Sequence, residues 1–181
     1  QSEAQERGLP NFKSAYEALP HFKAEKNVEL FTKHRIFTKE EVESRCEIML
    51  ENYIKSLNIE ALTMLEMIRK DILPASVSYL GELTDNAVKK KALGIGSFEY
   101  ESALISKLSA LSDLLFRKSG ELDMLLIDSK GICSTEDLAV YFGKTVFAKM
   151  CEMRMAADEI ESLTASRHWP YPVYSDLLFG V

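Results

Sequence analysis

"TKEEVESRCEIMLENYIKSLNIEALTMLEMIRKDILP", residues 38–74, carries the pattern from which the fold is read. Thr38 followed three residues later by Glu41 is a capping box, in which each side chain satisfies the other's free backbone amide. From there Val42, Cys46, Met49, Tyr53, Leu57, Ala61, Leu65, Ile68 and Ile72 recur at steps of three and four. That spacing places them on one face of a helix roughly eight turns long. Glu40 and Glu41 suit the positive end of its dipole. Pro74 lacks an amide donor and crowds the carbonyl four residues back, so it is expected to kink or end the helix. A helix over 39–73 is roughly 50 Å long at about 1.5 Å per residue.

Working outward, helical character resumes through Ser76 to Leu93. Lys89, Lys90 and Lys91 then precede Gly94 and Gly96, cations at the negative end of a dipole followed by glycine for the left-handed cap. These lysines read as solvated helix-end charges, with an anion patch as the other use. Ser97 is expected to cap a third helix with a seam of Leu104, Leu108, Leu111, Leu115, Leu122 and Leu125, interrupted near Ser119-Gly120. "STED" at 134–137 opens a fourth, lined by Leu138, Phe142, Val146, Met150, Met153, Ala157, Ile160 and Leu163. Upstream, "QSEAQERGLP" is polar and loose, a short helix covers Ser14 to Leu19, and another follows Pro20 from about Phe22 to His34. No run alternates in the manner of a strand. The expected fold is all-α, an antiparallel bundle of three to four long helices. By segment, it reads as an N-terminal linker over 1–20, the bundle over 21–166, and a C-terminal docking strap over 167–181.

Bulk properties narrow the function. The 181 residues carry a net charge of −6, which argues against nucleic acid because phosphate binding needs clustered basic surface. No window approaches the ~18 uninterrupted apolar residues of a membrane span, and no signal-peptide pattern opens the chain. Cys46, Cys133 and Cys151 are odd in number and lack metal-ligand spacing, which points to a reducing compartment and to neither a disulfide framework nor a zinc site. The chain begins at Gln1 without Met, as a processed product or a piece of something longer does.

No catalytic, cofactor-binding or metal-binding residue is assigned. A di-metal bundle needs Glu-x-x-His pairs on facing helices. His21, His34 and His168 instead lie outside the long helices or at their ends, where surface or capping roles are the default. "GIG" at 94–96 has no preceding strand and no third glycine, so it is not a dinucleotide fingerprint. No nucleophile elbow occurs. Cys46 and Cys151 fall on or near apolar helix faces as small hydrophobes, and Cys133 sits in a turn. Met64, Met67, Met150, Met153 and Met155 read as core packing at helical spacing.

The tail, "HWPYPVYSDLLFGV" at 168–181, is what the bundle does not explain. Its two X-Pro steps hold Trp169 and Tyr171 in extended geometry. "SDLLF" then suits a turn capped by Ser175. Ordering so apolar a segment is favourable only if nearly every anchor finds a pocket, on this bundle or on a neighbour.

Three segments together resemble one family: "LFTKHRIFTKEEVESRCEIMLENYIKSL" (30–57), "NIEALTMLEMIRKDILPA" (58–75) and the terminal "HWPYPVYSDLLF". They are similar to the C-terminal region of type III glutamine synthetases, whose chains end in a W-P-x-P-x-Y-x-D-L-L-F strap. Trp169, Pro170, Pro172, Tyr174, Asp176, Leu177, Leu178 and Phe179 match that ending. Tyr171, Val173 and Ser175 stand where the family more often has Phe, Thr and Gly. The likeness is weak across 94–150. It implies a non-catalytic helical domain of a parent that ligates ammonia to glutamate. ATP and Mg²⁺ are expected in the parent's upstream catalytic domain. That domain and neighbouring subunits of an oligomer are the implied partners, in the cytoplasm. The alternative is a free-standing helical adaptor that grips a partner helix with its Met- and Leu-rich faces.

Overall fold

The computed structural model describes residues 3, 6–94 and 97–179, and every regular element among them is helical. In chain order these are α1 (Ala15–Phe22), α2 (Glu25–Lys33), α3 (Lys39–Met67), a π turn (Ile68–Ile72) and α4 (Leu73–Ala92). Then follow α5 (Glu99–Asp128), a 3-10 turn (Ser129–Gly131), α6 (Thr135–Tyr141), a second π turn (Phe142–Val146), α7 (Phe147–Leu163) and α8 (Tyr174–Phe179). The expected all-α bundle is formed. Its residues gather into two compact units: Gln1–Glu60 with Leu125–Ala148, and Ala61–Met124 with Lys149–Val181.

The capping box at the start of α3 is made in both directions. The Thr38 amide donates to Glu41 Oε2 at 2.7 Å, and the Glu41 amide donates to Thr38 Oγ1 at 3.2 Å. The buried stripe that follows is Val42, Cys46, Leu50, Ile54, Leu57, Ala61, Leu65, Ile68 and Ile72. Two expected members are displaced by one residue. Met49 is exposed and Tyr53 half-buried, because steps of four from Cys46 bring Leu50 and Ile54 to the centre of the face.

Pro74 does not end the helical path. Ile68–Ile72 form a π turn, after which the Leu73 amide donates to the carbonyl of Ile68, five residues back. Pro74 then falls in the first turn of α4, where a missing amide is tolerated. Pro20 likewise sits inside α1, not at its end. The chain breaks instead at Ala24, whose φ of −60° and ψ of 142° are extended.

In the first unit, the Cys46 thiol donates to the Leu19 carbonyl at 3.2 Å, and Lys23 pairs with Glu136. Ser134 caps α6 by accepting from the Asp137 amide at 3.3 Å, as its "STED" pattern predicts. The second π turn holds Gly143 under the ring of Tyr16. Tyr141 donates to the Leu125 carbonyl at 3.2 Å.

In the second unit, paired residues fix the direction of each helix. Ser76 meets Ser112 at 2.8 Å and Lys90 meets Glu101, so α4 and α5 are antiparallel. Lys107 with Glu159 at 2.7 Å, Lys118 with Glu152 at 2.6 Å and Glu121 with Lys149 at 2.8 Å make α5 and α7 antiparallel too. The helix α5 is not interrupted at Ser119-Gly120. The Ser119 hydroxyl back-bonds to the Phe116 carbonyl at 2.7 Å and stays within the ladder.

The seam of α5 keeps Leu108, Leu115 and Leu122, but Ser112, Ser119 and Leu126 complete it in place of Leu104, Leu111 and Leu125. The helix begins at Glu99 with Phe98 at the capping position, one residue beyond Ser97. At the far end of α4, Gly94 adopts a φ of 70° as the lysine–glycine pattern requires. Gly96 lies outside the described residues.

Candidate functional site

The strap begins where α7 ends. Thr164 is buried and its hydroxyl donates to the Ile160 carbonyl at 2.7 Å, which closes the last turn. Two tight turns follow, with the His168 amide on the Ala165 carbonyl at 2.8 Å and the Trp169 amide on the Ser166 carbonyl at 3.1 Å. The chain thereby reverses and runs back along α4 and the first π turn, within the second unit.

Four side chains of α4 and that turn receive it. Glu82 pairs with Arg167 and accepts a hydrogen bond from His168 Nε2 at 2.9 Å. The other ring nitrogen of His168 lies 3.3 Å from the Ser78 hydroxyl, and the ring packs on Tyr79 with centroids 5.3 Å apart. About two turns upstream of Ser78, Tyr171 donates to Asp71 Oδ2 at 2.7 Å. Trp169 stands edge-on to Tyr171, with centroids 6.2 Å apart and planes at 74°. His168 is therefore no surface histidine; its side chain is only 17% exposed and is the hub of the seat.

Electrostatics follow the geometry. The Arg167 guanidinium first, then His168, holds the Glu82 carboxyl below the usual carboxylate range. Burial, reinforced by the bond to Asp71, pushes the Tyr171 phenol up to about 12. Along α5 and α7, Lys118 and Lys149 together bring Glu152 down to about 2.

The seat ends at Val173. Beyond it, α8 is a single short helix whose first turn is closed by the Val173 amide donating to Asp176 Oδ2 at 3.0 Å. The side chain of Ser175, the expected cap, lies outside the described residues. Leu177, Leu178 and Phe179 are 68%, 71% and 79% exposed. The strap thus has two halves, one pinned by polar and aromatic contacts and one presenting three bare apolar side chains. On this chain the first half finds its seat, whereas Leu177, Leu178 and Phe179 find none among the described residues.

Asp71, Ser78 and Glu82 were not singled out from the sequence. Their separations of seven and four residues set them on one helical face, which was the available signal. Other expected features divide similarly. Cys46 is buried, whereas Cys151 is exposed with Cys133, because position 151 faces away from the neighbouring Met150 and Met153. Met150 and Met153 are core residues, but Met155 and Met67 are exposed. Lys89 and Lys90 are drawn to Asp85 and Glu101, so the lysine run does not form a free anion cradle. Among the described residues no three His, Cys, Asp or Glu side chains converge as a metal site. No helix among the described residues is long and apolar enough to cross a membrane.

The described residues form an all-α scaffold whose strap is pinned as far as Val173 and whose short α8 carries exposed apolar side chains. Residues 1–91 match the family described as the glutamine synthetase C-terminal domain, and the chain belongs to that family. It is 39% identical over 180 residues to a glutamine synthetase of Butyrivibrio fibrisolvens, covering 99% of this chain and 26% of that protein. It is 32% identical over 181 residues to the type-3 glutamine synthetase of Dictyostelium discoideum, covering 97% and 25%. A glutamine synthetase of Bacteroides fragilis is 26% identical over 183 residues, with 98% and 25% covered. The chain spans about a quarter of the length of these relatives.

Proposed function

We propose that this chain is the structural and assembly domain of a type III glutamine synthetase, non-catalytic in itself. The parent ligates ammonia to glutamate in the cytoplasm, with ATP and Mg²⁺ held by an upstream catalytic domain. Residues 167–181 act as the docking strap. Its first half sets the direction of the tail against the helices, and α8 delivers Leu177, Leu178 and Phe179 to the catalytic body or a neighbouring subunit.

The observation that carries this reading is the pair of coverages: nearly all of this chain aligns with only a quarter of each relative. The bare apolar face of α8 supports it, since three large side chains left in water represent burial not yet gained. The relatives' length disfavours the free-standing adaptor.

The test is made in two parts. The isolated chain, given glutamate, ATP, Mg²⁺ and hydroxylamine, is expected to form no γ-glutamyl hydroxamate; turnover by it would refute the non-catalytic role. In the full-length parent, Leu178→Asp with Phe179→Asp is expected to reduce the assembled mass measured by light scattering. An unchanged mass would remove α8 from assembly.

A further inference from the structure

Within the first unit lies a cavity of about 720 Å³, formed by the residues before α1 together with α1, α2, the loop after α2 and the first turns of α3. That volume falls inside the range of about 300–1,000 Å³ typical of small-molecule sites. Its walls are largely apolar and aromatic, with Phe12, Phe22, Phe37 and Ile48 among them. Phe12 stacks on His21 with ring centroids 4.3 Å apart, and Phe22 packs against Phe31 at 5.4 Å, which braces the wall.

The charges on this wall are one-sided. Lys26 and Arg45 line the cavity, and among the described residues no aspartate or glutamate does, although the chain as a whole carries a net charge of −6. Lys23 and Lys39 nearby have carboxylate partners in Glu136 and Glu43. Among the described residues no carboxylate stands within ion-pair distance of Lys26 or Arg45. The Arg45 guanidinium is instead held 4.4 Å over the ring of Phe37, a cation positioned by an aromatic face. Ile48 on the same wall is 54% exposed.

We propose that this cavity binds an amphipathic monocarboxylate: an aryl or short alkyl acid whose apolar body covers Phe22, Phe37 and Ile48 while its carboxylate meets Arg45 and Lys26. An uncharged apolar molecule leaves both cations without a counter-charge. A small inorganic anion leaves the apolar wall wet. Only a ligand with both parts answers both features. This site belongs to the helical domain itself and stands whether or not α8 serves in assembly.

The experiment is a titration of the 181-residue chain with 4-phenylbutanoate and octanoate, with 4-phenylbutanamide and 4-phenylbutylamine as matched controls, followed by NMR and calorimetry. The acids are expected to bind with Kd on the order of 0.1–1 mM, the amide about tenfold more weakly, and the amine not at all. Arg45→Gln, a change on an exposed side chain, is expected to weaken the acids about tenfold with an unchanged circular dichroism spectrum. Ile48→Asp is expected to abolish binding of both acids. Equal affinity for acid and amide would overturn the proposal. So would an unchanged affinity in the Arg45→Gln, Lys26→Gln double variant, or no binding of either acid to the unaltered chain.

Discussion

Gly143, in the second π turn, lies directly beneath the ring of Tyr16 from α1. A β-carbon placed on it would overlap that ring and come 2.9 Å from the Tyr53 hydroxyl oxygen. Glycine here serves close approach, not an unusual φ. Gly143→Ala is expected to destabilise the chain by about 1–3 kcal/mol, the usual consequence of overpacking. Urea unfolding measures it. Adding Tyr16→Ala should return part of the loss, a non-additivity that an alanine acting only through helix propensity does not produce.

The buried Ser76–Ser112 pair of 2.8 Å joins α4 to α5 where most of the seam is leucine. Ser76→Ala leaves one hydroxyl without a partner and is expected to cost about 1–3 kcal/mol. The double change Ser76→Ala, Ser112→Ala should cost less than the sum of the two single changes. Simple additivity in thermal unfolding would show that the pair is not coupled.

Glu82 gathers both Arg167 and His168, so Glu82→Gln removes the strongest tether of the strap. Faster hydrogen exchange is expected at the His168 and Trp169 amides, with the amides of α5 unchanged. If those two amides stay as protected as before, the aromatic contacts alone hold the strap.

Acid should loosen the second unit, the seat included. Glu82, Glu101, Glu121 and Glu152 all have carboxyls lowered by lysine or arginine partners, or by His168. Their contribution is present above the unfolded value of about 4.3 and disappears as pH falls through the folded values, to about 2 for Glu152. The melting temperature is expected to fall between pH 5 and about 2, and Glu152→Gln should flatten part of that fall.

Alkali acts on the opposite partner. The Tyr171 phenol is raised, so its contribution is whole below the unfolded value of about 10 and is lost as pH climbs toward about 12. Burial also raises Tyr53, Tyr79 and Tyr141, but Tyr171 should be the last to ionise in a titration followed at 295 nm, and Tyr171→Phe should remove that final component.

The long helices were legible because burial follows a single period along each of them. Thr38 and Ser134 cap where their patterns say, and Leu108, Leu115 and Leu122 hold the seam of α5. What was not legible depended on hydrogen bonding, which residue type alone does not reveal. Pro74 reads as a terminator until the wide turn before it is seen, and Ser119 as a gap until its hydroxyl is found on Phe116. The seat of the strap was hidden for another reason. Asp71, Ser78 and Glu82 look like ordinary solvated helix residues, and only the reversal at 164–169 brings the tail back to them. The cationic cavity joins residues from position 10 to position 49, a separation that no local motif spans.

The wide turns at Ile68–Ile72 and Phe142–Val146 hold one residue more than an α-helix needs for the same path. Deleting one residue elsewhere in α3 or α7 rotates all that follows by about 100° and turns the apolar stripe outward. Deleting one within either wide turn restores ordinary winding and keeps the phase on both sides. These two places are where the length of the chain can drift by one across generations while the packed face stays in register.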